Sequence, residues 1–193
     1  MERGQFEGSR MDAVEAIDSN VRPESYLRDL GIDLSELEGK KVLGIGGMPQ
    51  GDVAVAAKAT GAEFFTVNPG IDYRDYTKPE GAVHTSGLAQ ELPFADDSFD
   101  IELAHASVPG YLPRVESEYR AMFSEMLRTV KPNGEVRIYP ITEAMYNDEV
   151  FEEIVHSHID DAKFEFEPLE KRMIQGQNQQ VYRLKITKLE KNG

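Results

Sequence analysis

The 193-residue sequence contains no cysteine. This absence excludes a disulfide framework, a thiolate metal site and a cysteine nucleophile, and it fits a reducing cytoplasm. No apolar run approaches the roughly 20 residues that a membrane-spanning helix needs. Residues 1–6 also lack the apolar core of a signal peptide. The sequence therefore predicts a cytoplasmic protein that has no membrane segment.

Positive charge is scarce, with 21 Lys and Arg residues against 35 Asp and Glu and a formal net charge of -14. An acidic surface of this kind repels phosphate backbones, which argues against a nucleic-acid partner. The length and the hydrophobic fraction of 40% suit one globular domain with a real core. We expect a small-molecule substrate, and the composition leaves a homodimer or a protein partner open.

A glycine-rich turn lies between a short apolar run, Lys41–Ile45, and a predicted helix at 53–59. The run is long enough for one buried strand, and Asp52 can cap the helix. Glycine lets the backbone pass close to a ligand, and a helix N-terminus adds free N–H groups and partial positive charge. This corner is typical of a nucleotide-binding site; a turn that serves only packing is the alternative.

Strand and helix patterns alternate along most of the chain. The predicted strands are 42–46, 63–68, 82–85, 99–104 and 135–139, and the predicted helices are 23–30, 53–59, 113–130 and 148–158. This alternation predicts a parallel sheet with both faces covered by helices. Two later segments, 163–168 and 180–188, alternate apolar with polar residues and predict a final antiparallel pair, joined by a polar, glutamine-rich loop.

The N-terminal residues 1–40 are predicted to form a helical cover, and residues 41–193 the main domain. Residues 11–18 have helical spacing, and a second helix begins at Pro23 and ends before Gly31. The second helix either covers one side of a binding cleft or simply packs on the sheet.

Four sequence motifs stand in an order shared with a known family. Residues 42–46 (VLGIG) look like a glycine motif after a first strand, and 88–94 (LAQELPF) like an adenine-side loop. Residues 97–101 (DSFDI) look like the entry to a fourth strand, and 125–134 (EMLRTVKPNG) like the helix and turn before a fifth. Over about residues 41–188 the chain thus resembles the small-domain class I S-adenosylmethionine-dependent methyltransferases.

The resemblance implies a Rossmann-like α/β fold with a mostly parallel seven-stranded sheet, an antiparallel last strand and helices on both faces. It also implies that S-adenosylmethionine binds at the carboxyl ends of the first, second and fourth strands. The implied function is methyl transfer from this cofactor to an unidentified small molecule.

The resemblance assigns the cofactor contacts to Gly44, Gly46, Gly47, Asn68, Leu88, Ala89, Gln90 and His105. Three of these positions lack an acid that the family usually has: Gly44 near the ammonium group, Asn68 at the ribose and Leu88 at the adenine. Met48 stands where the family has a further glycine. The Asn68 amide still accepts hydrogen bonds, although without charge. The alternative function is therefore a methyltransferase-like protein without methyl transfer, serving as a binding or scaffold protein.

The catalytic candidates follow the fourth predicted strand. His105 is a candidate base near working pH, with a histidine bonded to backbone at a strand end as the structural alternative. Tyr111 is expected to form one wall of the substrate pocket, and Tyr139, at the end of the predicted fifth strand, to line the same pocket. We predict no metal site, because His156 and His158 are two residues apart on a helix and point to different faces.

Overall fold

The computed structural model describes residues 23–46, 51–69, 82–174 and 176–190. The strands in these ranges are β1 (Lys41–Ile45), β2 (Glu63–Asn68), β3 (Ala82–Ser86), β4 (Phe99–His105), β5 (Val130–Thr142), β6 (Ala162–Pro168), β7 (Arg172–Ile174), β8 (Gln177–Gln179) and β9 (Val181–Lys188). The helices are α1 (Pro23–Leu30), α2 (Gly51–Ala59), α3 (Glu116–Thr129), α4 (Glu143–Tyr146) and α5 (Glu149–Ser157), with a 3-10 turn at Leu34–Leu37.

Seven strands form one sheet in the order β3-β2-β1-β4-β5-β9-β6. Strands β1 to β5 pair in parallel, and β9 runs antiparallel to both β5 and β6. The predicted fold class is therefore confirmed, including its antiparallel last strand. The strand order reverses between β1 and β4, and a reversal of this kind opens a crevice at the carboxyl ends of those strands.

Helices cover both faces of the sheet, as the alternating pattern predicted. One core cluster joins α1 and α2 to the sheet through residues such as Leu30 and Ala57. The other joins α3 and α5 through residues such as Phe123 and Ile154. Because apolar residues recur every three or four positions in α3, one side of this helix is continuously buried. The buried residues of α3 are Tyr119, Met122, Phe123, Met126, Leu127 and Thr129.

Two predicted elements differ from the observed ones by three residues or more at a boundary. The helix predicted from residue 113 begins at Glu116, because Val115 is extended, with φ -131° and ψ 142°. The strand predicted at 135–139 runs from Val130 to Thr142. Its pairing with β9 continues past a register shift between Ile138 and Ile141, where a proline in the strand is tolerated.

The C-terminal antiparallel pair is confirmed, since β6 pairs with β9 from Ala162 to Pro168. The segment between them was predicted as a polar loop, and the structure shows that it includes a small antiparallel hairpin of β7 and β8. Strands of three residues are too short to produce a recognisable alternation.

The first N-terminal helix predicted, at 11–18, lies outside the described residues, and the boundary at residue 40 stays a prediction. The second is α1, which packs on the sheet through Tyr26, Leu27 and Leu30. None of the helices in the described ranges has both the length and the apolar character required to cross a membrane.

Candidate functional site

The chain segments that follow β1 and β4 meet in a tight contact between Gly46 and Ser107. Gly46 has φ +66°, and a Cβ on it would lie 2.8 Å from Cβ of Ser107. The Ser107 hydroxyl donates a hydrogen bond of 2.7 Å to the carbonyl oxygen of Ile45. Only glycine satisfies both the left-handed backbone and the close approach. The carboxyl ends of β1 and β4 are therefore held together by this contact.

Asn68 is the last residue of β2 and lies beside this crevice. It is 9% exposed, and its carbonyl oxygen accepts a 2.9 Å hydrogen bond from the Gly87 amide. A Cβ on Gly87 would lie 2.8 Å from Cδ of Pro93. This glycine therefore lets the loop after β3 approach the end of β2, a role that the sequence did not indicate.

The adenine-side loop presents Leu88 outward and Ala89 inward. Leu88 is 49% exposed and Ala89 is buried against the core. The side-chain amide of Gln90 donates a 2.6 Å hydrogen bond to Glu118 on α3. Leu88 thus offers an exposed apolar surface to a planar ligand group, whereas the Gln90 side chain is already engaged with the protein.

Two side chains of α3 hold the next part of this loop. A Glu125 carboxylate oxygen accepts a 2.8 Å bond from the Leu92 amide. The Arg128 guanidinium donates to the carbonyl oxygens of Leu92 and Phe94, at 3.0 and 2.8 Å. The Phe94 ring packs edge-on against Phe99 at the start of β4. These contacts give a physical reason for the Leu-Pro-Phe pattern: it is the anchored base of the loop.

His105 is the last residue of β4 and is 6% exposed. Its Nε2 atom lies 3.2 Å from Oδ2 of Asp29, on α1. The imidazole lies between two aromatic rings, with centroid distances of 4.6 Å to Tyr26 and 5.3 Å to Tyr139. The structural alternative of a backbone-bonded histidine was therefore wrong about the partner, which is a carboxylate.

Asp29 also pairs with a cation. Its Oδ1 atom lies 3.1 Å from Nη2 of Arg172, on β7, whose guanidinium sits over the Tyr139 ring. Burial by itself raises the pKa of the Asp29 carboxyl. The hydrogen bond with His105 and the charge of Arg172 outweigh burial and hold this pKa below its ordinary value. Burial, helped by the Asp29 charge, raises the pKa of Tyr139 to about 12. Asp29 is therefore ionised and Tyr139 neutral at physiological pH.

The predicted site residues are distributed unevenly around the crevice. Gly46, Asn68 and His105 stand at its edge, whereas Gly44 is buried within β1. Tyr111 is 52% exposed on the turn after β4 and makes no hydrogen bond or ring contact with His105. Gly47 lies outside the described residues. The roles assigned to these residues stay predictions.

The sequence did not reveal Asp29, the partner of His105. Its position on α1 follows from the helix pattern, because Tyr26 and Asp29 are three residues apart and share one side of the helix. Nothing in that pattern indicated that this side meets the end of β4. Arg172, on a three-residue strand, carried no sequence signal either.

Comparison with known proteins points to one family. Residues 44–138 match the family model described as a methyltransferase domain. Among curated proteins, none matches the chain. The matched region begins in β1 and ends in β5, so it contains Asn68, the adenine-side loop and His105.

Solved structures share the fold at low sequence identity. An S-adenosylmethionine-dependent methyltransferase from Methanosarcina mazei has 14% identity and a TM-score of 0.53, with 80% of this chain and 94% of that chain covered. A Listeria monocytogenes protein provisionally assigned to the same class has 10% identity and a TM-score of 0.58, with coverages of 88% and 100%. A TehB-like S-adenosylmethionine-dependent methyltransferase from Corynebacterium glutamicum has 16% identity and a TM-score of 0.52, with coverages of 82% and 91%. The resemblance drawn from the four motifs is confirmed.

Proposed function

We propose that this chain transfers a methyl group from S-adenosylmethionine to a small molecule. The chain matches a methyltransferase-domain family and has the class I methyltransferase fold. The observation that carries the proposal is the match over residues 44–138. That match lies on the strands whose carboxyl ends form the crevice. The acidic composition supports a small molecule rather than a nucleic acid as the acceptor.

The residues present fit the nucleoside half of the cofactor. The Asn68 amide oxygen is an acceptor for ribose hydroxyl groups at the end of β2. Leu88 offers exposed apolar surface for an adenine ring, and Gly46 places no side chain directly after β1. When bound, S-adenosylmethionine supplies an electrophilic methyl group on a sulfonium.

The fit is weaker at the amino-acid half of the cofactor. Gly44 provides no carboxylate for the ammonium group. Asp29 is the buried carboxylate near the end of β4, and both of its oxygens already bond to His105 and Arg172. We therefore expect modest affinity, since hydrogen bonds to a charged group contribute about 1.5–3 kcal/mol each.

The chain's part in the reaction is to orient the acceptor and exclude water, because methyl transfer depends chiefly on positioning. Tyr26 on α1, His105 at the end of β4 and Tyr139 within β5 pack against one another as a buried aromatic cluster. The family match and the assignments of the structural neighbours favour this function over a non-catalytic scaffold.

The proposal is tested by following S-adenosylhomocysteine formation from S-adenosylmethionine in a protein-free metabolite extract. Product that depends on the extract and falls in Asn68→Ala supports methyl transfer. Binding of S-adenosylmethionine without formation of S-adenosylhomocysteine in the extract would instead support the alternative function, a methyltransferase-like binding or scaffold protein.

A further inference from the structure

The contact between His105 and Asp29 is built from two elements far apart in sequence. Asp29 is on α1 and His105 ends β4, and both are nearly inaccessible, at 8% and 6% exposure. Asp29 uses one oxygen for His105 and the other for Arg172, so its two oxygens are directed by different partners. The rings of Tyr26 and Tyr139 lie on the imidazole and restrict its rotation.

This arrangement determines which ring nitrogen of His105 carries the hydrogen. The partner of Nε2 is an ionised carboxylate, which only accepts hydrogen bonds. The hydrogen of the neutral ring therefore lies on Nε2. The Nδ1 atom of that neutral ring is then an unprotonated hydrogen-bond acceptor.

Packing alone does not require Asp29, His105 and Arg172 at these positions. A buried ion pair often gives no more stability than apolar side chains of similar volume. The remainder of α1 is already held by Leu27 and Leu30 in the core and by an Arg183 hydrogen bond to the carbonyl oxygen of Arg28. The Asp29–His105 contact instead lies at the carboxyl end of β4, one of the two strands between which the strand order reverses.

We propose that Asp29 is a positioning residue that fixes the His105 tautomer, leaving Nδ1 to accept a proton from a methyl acceptor that reacts through a hydroxyl group. This inference rests on the proposed methyltransferase function. The acceptor oxygen forms a bond to the methyl carbon, and the carbon–sulfur bond breaks with its electron pair passing to sulfur. The hydroxyl proton passes to Nδ1 of His105. The products are a methyl ether, S-adenosylhomocysteine and a protonated imidazole that later releases its proton to water.

Among the possible methyl acceptors, a hydroxyl group depends most on a neighbouring base such as Nδ1 of His105. Attack by a neutral hydroxyl oxygen places positive charge on that oxygen unless its proton leaves, so a base beside it lowers the barrier. A carboxylate acceptor carries no proton to remove. A neutral amine attacks through its lone pair and loses its proton after the bond has formed.

The tautomer is measured without substrate, by ¹⁵N NMR of the histidine rings, with His105→Gln used to assign the His105 signals. Wild type is expected to show His105 as the Nε2–H form. Asp29→Asn and Arg172→Gln form a matched pair, because both lose the Asp29–Arg172 ion pair and only the first loses the carboxylate beside His105. Arg172→Gln should keep the Nε2–H form, and Asp29→Asn should lose most of that preference. An equal effect of the two variants, or none, would overturn the positioning role.

The proton-accepting role is tested with S-adenosylmethionine and two acceptor panels, one of alcohols and phenols and one of amines and carboxylic acids. We expect turnover in the hydroxyl panel, a loss of at least 100-fold in His105→Gln, and no loss in His156→Gln, an exposed control on α5. Wild-type turnover confined to the second panel, absent from both, or unchanged in His105→Gln overturns the inference. Calorimetry on the same variants separates the failures: binding of S-adenosylhomocysteine without the expected turnover rejects only this inference, and no binding rejects the proposed function.

Discussion

Glu102 is a fully buried carboxyl group in the middle of β4. Its Oε1 atom lies 2.6 Å from the Thr129 hydroxyl, which also lies 2.9 Å from the carbonyl oxygen of Glu125. The single hydroxyl hydrogen of Thr129 cannot be donated to both the Glu102 carboxyl oxygen and the Glu125 carbonyl oxygen. If Glu102 is protonated, its carboxyl group donates to the Thr129 hydroxyl, which then donates to Glu125. Burial raises the pKa of Glu102 to about 8, although the Thr129 hydrogen bond opposes the change. At the scale of single residues, the core therefore holds a neutral glutamic acid.

This neutral carboxyl predicts a loss of stability as pH rises. In the unfolded chain Glu102 ionises near its ordinary pKa of 4.5, and in the folded protein near 8. Its favourable contribution is therefore complete below about pH 4.5 and is lost as the pH rises to about 8, by up to about 1.4 kcal/mol per pH unit. Glu102→Gln, which is neutral at every pH, should remove this slope in urea unfolding at pH 5, 6.5 and 8. The exposed Glu153→Gln is the control, and equal slopes in wild type and Glu102→Gln would contradict the assignment.

Asn68 gives the second prediction at the residue scale. If its amide oxygen accepts from the ribose, Asn68→Ala should weaken S-adenosylhomocysteine binding by about 1 kcal/mol, the usual value of a neutral hydrogen bond. Asn68→Asp should strengthen it by a similar amount, because a charged acceptor forms stronger bonds. Calorimetry at one pH and salt concentration measures both. Asn147→Ala, at an exposed asparagine beyond α4, should have no effect. Three equal affinities for wild type, Asn68→Ala and Asn68→Asp would show that the ribose is not bound here.

At the scale of elements, the contact between Gly46 and Ser107 joins the ends of β1 and β4. Gly46→Ala combines the strain of a left-handed residue, about 1–2 kcal/mol, with a contact of 2.8 Å to Ser107. Gly39 is a matched control, because it has φ +64° and a Cβ there would meet no described atom within 4 Å. Gly46→Ala should therefore lower the free energy of unfolding clearly more than Gly39→Ala. If denaturant unfolding shows equal losses of unfolding free energy for Gly46→Ala and Gly39→Ala, the contact between Gly46 and Ser107 does not constrain the backbone.

The elements that sequence predicted best are those with strong boundary residues. Helix α1 matches its predicted range, since Pro23 begins it and Gly31 follows it, and β2 ends as predicted before a Pro-Gly pair. Strand β5 was predicted too short because Pro140 signals an end, and only its pairing with β9 shows that it continues. Residues that end strands, such as Asn68 and His105, could therefore be placed at the crevice. The Asp29 partner could not, because a long-range contact between α1 and β4 leaves no periodic signal.

At the scale of the whole molecule, the strand order brings Gly46, Asn68 and His105 to the carboxyl end of the parallel strands. The chain as a whole is acidic, with a formal net charge of -14. The family usually has a carboxylate at the position of Gly44 that binds the ammonium group of S-adenosylmethionine. Gly44 provides no such group for the amino-acid half of the cofactor. The central claim is therefore that this crevice still binds the cofactor.

Isothermal titration calorimetry with S-adenosylhomocysteine tests this claim most directly, since it needs no methyl acceptor. The account predicts saturable heat with one site per chain, competition by S-adenosylmethionine, and a rise in melting temperature with ligand concentration, as binding to the folded state requires. Absence of both heat and a thermal shift at millimolar ligand would contradict it.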